Sequence, residues 1–202
     1  SELNVLVIGD TILDEYLYCD PLGKSSKDPV LTVHYRSKDM FAGGVLAVAN
    51  QAANFAGQVK LVTVFGDTDS HEDFIKSQLS DKVSLYYEVQ KSAPTLIKRR
   101  FVDGYSFNKM FEIYVMDDKG LCREKEKSMR DWLNKHIGDY DMVIVSDFGH
   151  GAISENVVTL LCEKAKYIAV NTQSNSGNRG FHTISRYPKA DYACIAEHEL
   201  RL

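Results

Sequence analysis

LNVLVIGDTILDEY, residues 3–16, opens with an almost unbroken apolar, β-branched run from Leu3 to Ile8 that stops at Gly9. A run without polar alternation predicts a strand buried on both faces, the pattern of a central strand in a parallel sheet. Such a strand delivers Asp10 and Asp14 to its carboxyl end, where open parallel sheets bind their ligands. The plainer reading makes Asp10 a turn residue and leaves Asp14 solvated.

Outward from that strand the pattern is α/β. A helix is predicted from about residue 44 to 56, followed by the buried strand KLVTVFGD, an amphipathic segment at 70–79 and the short strand VSLYYEV. After residue 124 come a surface helix (REKEKSMRDWLNKHI), a buried strand (DMVIVSD), a helix (SENVVTLLCEKA) and the strands YIAVN and DYACIA. A last helix begins at EHELRL, with Glu197 and Glu199 in the first turn, where the helix dipole favours carboxylates.

Two segments, 15–40 and 94–116, break the rhythm with alternating polar and apolar residues around turn clusters. They predict antiparallel hairpins outside the main sheet, a small β lid over a core of residues 1–14, 41–93 and 117–202. Exposed lid edges also invite pairing between two copies, a homodimer.

The 202 residues suit one large domain or one domain with an insertion, and 24 basic against 28 acidic side chains leave a net charge of −4. That balance gives no electrostatic reason to expect nucleic acid or an anionic membrane surface as partner. Cys19, Cys122, Cys162 and Cys194 form neither a CxxC pair nor a metal-ligand spacing. With no signal peptide and no membrane-span candidate, a cytoplasmic protein with reduced thiols is expected.

Four stretches and one basic run carry candidate chemistry. Besides Asp10 and Asp14, AGGVLAVANQAANFAG (42–57) places Gly43 and Gly44 before a helix of small residues, with bare backbone toward the mouth of the sheet and Gly57 suited to the C-terminal cap. VIVSDFGHGAIS brings Asp147 to a strand end, followed by His150, read as a ligand contact or as a solvated loop residue, and by Ser154 as a helix cap. In the polar stretch 171–199, Arg179 and His182 are either anion contacts or parts of an ordered surface loop. Lys98, Arg99 and Arg100 form either a solvated face or a phosphate contact. The dinucleotide fingerprint GxGxxG is absent, and the spacing of Asp10 and Asp14 does not fit a DxD phosphatase pattern.

In this order the stretches resemble the PfkB or ribokinase-like carbohydrate kinases, nearest in pattern to heptose-7-phosphate kinase domains such as those of bifunctional sugar kinase and nucleotidyltransferase proteins. The resemblance covers nearly the whole chain: GDxxLDxY at Gly9 to Tyr16, a hairpin lid, the double glycine, an SDF turn at Ser146 to Phe148, and CIAEHE at 194–199 where the family reads TPNxxE. It implies a ribokinase-like, mostly parallel sheet flanked by helices with a small antiparallel β lid, and a kinase that moves the γ-phosphoryl group of MgATP to a sugar or sugar phosphate. It further implies that Asp14, Gly43, Gly44 and Asp147 bind substrate and that Glu199 positions phosphate or magnesium. Asp10, Asn50, Lys98, Arg100, His150 and Asn171 stand as further candidates.

The departures are specific. The family asparagines of GGxxN and TPNxxE fall on Ala47 and Ala196, its frequent lysine after the SDY turn falls on His150, and heptose kinases read DPK where this chain has Asn171, Thr172 and Gln173. The DTxGAGD motif, which carries the family's catalytic aspartate and anion hole, does not occur in the sequence. The resemblance therefore implies a chain lacking the C-terminal part of the fold, with no catalytic residue of its own and incomplete ATP binding. A non-catalytic ligand-binding or scaffolding protein on a degenerate kinase fold is the alternative.

Overall fold

The computed structural model describes residues 2–117 and 119–202; Ser1 and Asp118, which fall within the expected core segments, lie outside the described residues. The strands are β1 (Asn4–Gly9), β2 (Thr11–Lys24), β3 (Leu31–Gly44), β4 (Gln58–Thr68), β5 (Val83–Pro94), β6 (Ile97–Asp103), β7 (Lys109–Val115), β8 (Met142–Asp147), β9 (Ile168–Thr172) and β10 (Tyr192–Ala193). The helices are α1 (Val45–Ala52), α2 (Glu72–Gln78), α3 (Arg123–His136), α4 (Glu155–Lys164) and α5 (Glu197–Leu200). No helix among the described residues is long and apolar enough to cross a membrane.

The main sheet has the order β10-β9-β8-β1-β4-β5, and every neighbouring pair in it is parallel. β1 sits inside this sheet because it can be buried on both sides. Leu6 and Ile8 join the core beneath α3 and α4, with Met129, Leu133, Val157 and Leu161. Val5 and Val7 face the opposite core, with Val45, Leu46 and Ala49 of α1. Alternation along one strand thus feeds two hydrophobic layers, the arrangement that makes the run look continuous in sequence.

The second sheet has the order β3-β2-β6-β7. Its hairpins β2–β3 and β6–β7 are antiparallel, as expected, but β2 and β6 pair in parallel from Leu13↔Ile97 to Cys19↔Asp103, so the lid is a mixed sheet. The reason lies in the main sheet: β2 continues from β1 and β6 follows β5, and both leave the same carboxyl edge of parallel strands. They consequently run side by side in one direction.

The helix after the double glycine ends at Ala52, short of the expected residue 56. The chain must turn there to enter β4: Ala56 donates to the Ala52 carbonyl, and the Gly57 N–H bonds to Leu3 O at 2.9 Å, which sets the Asn4↔Gln58 register. Gly57 therefore starts the return to the sheet and is not the helix cap. Ser154 does cap α4, accepting from Val157 N at 3.3 Å.

Candidate functional site

The carboxyl edge of β1, the loop after β8 and one face of the lid sheet converge. Side chains on a strand alternate between faces, and the lid registers Asp14↔Lys98, Tyr16↔Arg100, Lys98↔Tyr114, Arg100↔Glu112 and Asp14↔Phe41 put all these residues on the same side. The basic run is split by this rule. Lys98 and Arg100 point to the cleft, whereas Arg99 lies on the opposite face and pairs with Glu15, which Lys38 also approaches at 3.3 Å.

Asp14 lies on this face beside Lys98 and Arg100. Arg100 Nη1 donates to its Oδ1, and Arg100 Nε lies 2.6 Å from Glu112 Oε2 as an ion contact whose angle falls short of a hydrogen bond. The Arg100 guanidinium also lies 5.3 Å from the centre of the Tyr16 ring. The side chain of Asp14 remains 24% exposed, so a carboxylate held by one arginine still offers acceptor positions to the cleft.

The double glycine answers to this geometry. A Cβ on Gly43 would fall 2.0 Å from Asp14 Oδ2, so only a bare Cα lets the carboxylate cross there. Gly44 has φ +54, and a Cβ on it would meet the Asp10 carbonyl oxygen at 2.6 Å. The pair thus ends β3, passes under Asp14 and starts α1, whose Val45 N–H bonds to Asp10 O at 3.1 Å.

Lys98 is only 5% exposed. Its ammonium lies 5.0 Å from the centre of the Tyr114 ring and 5.8 Å from that of Phe148, and no hydrogen bond or ion pair engages it among the described residues. Burial pulls its pKa down, with the charges of Asp14 and Glu112 opposing the shift. The solvated-face reading of the basic run thus fails at Lys98. His150 packs edge-on to Tyr114 with ring centres 6.2 Å apart, and its buried Nε2 finds no partner among the described residues. Burial, reinforced by the charge of Lys98, lowers its pKa to about 4, so the ring is neutral at physiological pH.

Two buried aspartates build the floor. Asp10 accepts from the N–H groups of Phe148, His150 and Ala152 at 2.9, 3.3 and 3.0 Å and so fixes the loop after β8. Asp147 accepts from Gly149 N at 3.1 Å, Arg186 Nη1 at 2.6 Å and Tyr187 OH at 2.6 Å, and pairs with His182 Nε2 at 2.7 Å. Its oxygens are engaged within the protein. Burial raises the Asp10 pKa from 3.8 to about 6, helped by the charge of Asp147 and opposed by the three N–H bonds.

A buried acid with a raised pKa favours the folded state in its neutral form. That contribution is complete below the unfolded value of 3.8 and is lost as pH rises through about 6. Between about pH 7 and pH 5, wild type is expected to gain about 1 kcal/mol of stability relative to Asp10→Asn, read by denaturant unfolding. Parallel pH profiles for the two proteins would refute this.

The remaining candidates lie apart from this cluster. Asn50 bonds to Gln78 O at 2.8 Å and accepts from Ser80 N at 2.9 Å, latching α1 to the turn after α2. Asn171 ties β9 to the residue after β10, donating to Cys194 O at 2.6 Å. Glu199 is buried, with one oxygen accepting from Ser174 N at 2.7 Å and the other from Ala196 N at 2.8 Å, which closes the start of α5. One backbone N–H bonds to each oxygen, which fixes the orientation of the carboxylate and leaves a further acceptor position on each. Tyr16, Phe41, Glu112 and Tyr114 join the cleft without having been singled out in the sequence; the alternation of the lid strands was the signal that could have found them.

No family model matches the chain. It is 29% identical over 193 residues to the bifunctional protein HldE of Aliarcobacter butzleri, covering 90% of this chain and 39% of that protein. The chain spans about a third of the length of the curated relatives it matches. Among solved structures, the tetrameric inhibited form of phosphofructokinase-2 from Escherichia coli superposes with TM-score 0.68 at 11% identity, covering 98% of this chain and 62% of that one. The ribokinase of Arabidopsis thaliana, complexed with ribose and ATP, gives TM-score 0.60 at 14% identity over 87% of this chain and 55% of its own. The chain therefore has the ribokinase-like fold, and its resemblance to the PfkB and ribokinase-like carbohydrate kinases rests on sequence and structure together.

Proposed function

We propose that the chain supplies the acceptor-binding part of a PfkB-like carbohydrate kinase, one that transfers the γ-phosphoryl group of ATP to a hydroxyl of a sugar or sugar phosphate. The observation that carries this reading is the Asp14 carboxylate lying against the bare Cα of Gly43, under a β sheet that faces the carboxyl edge of β1. A carboxylate so placed accepts hydrogen bonds from sugar hydroxyls, and phosphoryl transfer depends mostly on such positioning. Gly44 shapes the same floor, Asp10 and Asp147 hold the loop beside it, and Lys98, Arg100 and His150 form the wall.

In this reading residues 15–40 and 94–116 are the lid, which keeps water from competing with the sugar, and residues 1–14, 41–93 and 117–202 are the core. The donor in the intact kinase is MgATP, which supplies the phosphoryl group and the metal's charge. Glu199, oriented by two backbone N–H groups, is the residue that would help position the phosphates or magnesium. In this reading the catalytic aspartate and anion hole belong to the DTxGAGD part of the kinase, and no catalytic role is assigned to the residues described. A cytoplasmic location and a homodimer through lid edges belong to the same reading.

Calorimetric titration of a sugar panel tests it. Asp14→Ala is expected to weaken the bound sugar roughly tenfold to a hundredfold, the value of a hydrogen bond to a charged group, with an unchanged thermal melt. Unchanged affinity removes Asp14 from the site. The non-catalytic reading is favoured by one observation: alanine stands at 47 and at 196 where the resembled kinases carry asparagine, and Ala47 is exposed in the first turn of α1. A longer native chain that contains DTxGAGD and consumes ATP on sugar addition would decide against it.

A further inference from the structure

Through Tyr114 of β7 the second sheet reaches the loop between β9 and β10. A Cβ on Gly177 of that loop would come within 3.0 Å of the Tyr114 ring, which also meets the His150 ring edge-on and lies under the Lys98 ammonium. The Tyr114 hydroxyl is bonded on both sides, to Glu112 and to Ser176. A carboxylate only accepts, so the phenol proton goes to Glu112 and the Ser176 hydroxyl donates to the phenol oxygen. Burial, then the bond to Glu112 and its charge, push the Tyr114 pKa up to about 12, so that proton stays in place at physiological pH.

The contacts continue beyond Glu112. Arg100 Nε lies 2.6 Å from Glu112 Oε2, and Arg100 Nη1 donates to Asp14 Oδ1. Ser176, Tyr114, Glu112, Arg100 and Asp14 therefore form one polar chain across β7, β6 and β2. The strand registers explain it: Glu112 and Tyr114 are two positions apart on one face, Arg100 stands opposite Glu112, and Asp14 stands opposite Lys98, one diagonal step from Arg100. The Ser176 end is fixed to the loop after β8, because Asn175 and Asn178 donate to Phe148 O at 2.8 and 3.1 Å and Gly177 N bonds to Asn175 Oδ1 at 2.9 Å. Along the chain Glu112 is shared between a phenol and a guanidinium, and Arg100 between two carboxylates. If Glu112 lost the phenol, its charge would draw Arg100 away from Asp14.

We propose that Tyr114 is a positioning residue for Asp14: its hydroxyl, seated on Ser176, moderates the hold of Glu112 on Arg100 and so keeps Arg100 on the Asp14 carboxylate. Contact between the second sheet and the 173–183 loop and the orientation of Asp14 are then coupled. The role in acceptor binding rests on the function proposed above, whereas the coupling can be read in the free protein.

The test follows two resonances of the free protein, the Arg100 Nε–H and the Asp14 side-chain carboxyl carbon, in wild type, Tyr114→Phe, Ser176→Ala, Glu112→Ala and the double variant Ser176→Ala/Glu112→Ala, with thermal melts of each. Tyr114→Phe keeps the ring under Lys98, and Ser176 is exposed, so both variants are expected to fold. Both resonances should move in Tyr114→Phe and in Ser176→Ala, and Ser176→Ala should add nothing once Glu112 is alanine. In calorimetry with the tightest-binding sugar of the panel, Tyr114→Phe should weaken binding roughly threefold to tenfold, the value of one hydrogen bond, and have no further effect in Asp14→Ala. Unmoved resonances, or a Ser176→Ala shift that persists without Glu112, refute the coupling while acceptor binding stands. Moved resonances with wild-type sugar affinity in Tyr114→Phe refute the positioning role. If no sugar binds at all, the acceptor reading falls and the positioning role with it.

Discussion

Asp147→Ala is expected to lower the unfolding free energy by about 3–5 kcal/mol, the range for breaking a buried ion pair from one side. The carboxylate is 1% exposed and collects Arg186, Tyr187, His182 and the Gly149 N–H. Its removal leaves a guanidinium and a buried phenol without the acceptor around which they are arranged. Asp147→Asn keeps one acceptor and loses the charge, so it should fall between wild type and the alanine variant.

The pH dependence has the opposite sign to that of Asp10. Burial alone would raise the Asp147 pKa, but the bond and charge of His182, the Tyr187 hydroxyl and the charge of Arg186 hold it below its ordinary value of 3.8. The stability it contributes is present above that value and is lost as pH falls through the lower folded-state pKa. Urea unfolding at neutral pH checks the magnitude. A loss below about 1 kcal/mol with an unchanged m-value would mean that the cluster adds little to the fold.

Gly43→Ala is the second large effect, and it separates binding from stability. The new methyl would sit 2.0 Å from Asp14 Oδ2 and 3.1 Å from its Cγ, so the carboxylate must swing away. That side chain is partly exposed, and the cost to the fold is expected at about 1–3 kcal/mol, as for other overpacked sites. Sugar affinity should fall as far as in Asp14→Ala, roughly tenfold to a hundredfold, because the same acceptor is displaced. Gly44→Ala should behave differently. Its φ of +54 and the Asp10 carbonyl at 2.6 Å are backbone constraints, so the loss there appears first as stability. Equal sugar affinity in Gly43→Ala and wild type would refute the site geometry.

The parts of this fold that were legible in sequence are those whose cause is local. LNVLVI reads as a doubly buried strand because both of its faces find apolar cores, and Ser154 reads as a cap because the cap bond spans only three residues. The double glycine could be flagged, but its reason could not. The atom that forbids a side chain at 43 belongs to Asp14, and the pairing that brings it there runs through a long hairpin.

What remained hidden depends on distant partners. The lid hairpins were visible, whereas the parallel seam between β2 and β6 joins residues more than eighty positions apart. The α1 helix stops before its alanines do because Gly57 must reach Leu3, a demand of the sheet that no helix propensity encodes. The sequence leaves Lys98, Arg99 and Arg100 as a solvated face or a phosphate contact, and only strand alternation sends Lys98 to one face and Arg99 to the other. Asn50 looked available for a ligand, yet its amide is consumed by Gln78 and Ser80, about thirty residues along the chain.

In the proposed function a sugar occupies the space between the carboxyl edge of the main sheet and the second sheet. Mapping of backbone amide chemical shifts during titration with the tightest-binding sugar of the panel tests this most directly. Saturable shifts are expected at Asp14, Gly43, Gly44, Lys98 and His150, and none of these in Asp14→Ala. Shifts confined to other surfaces, or a pattern that persists in Asp14→Ala, would contradict it.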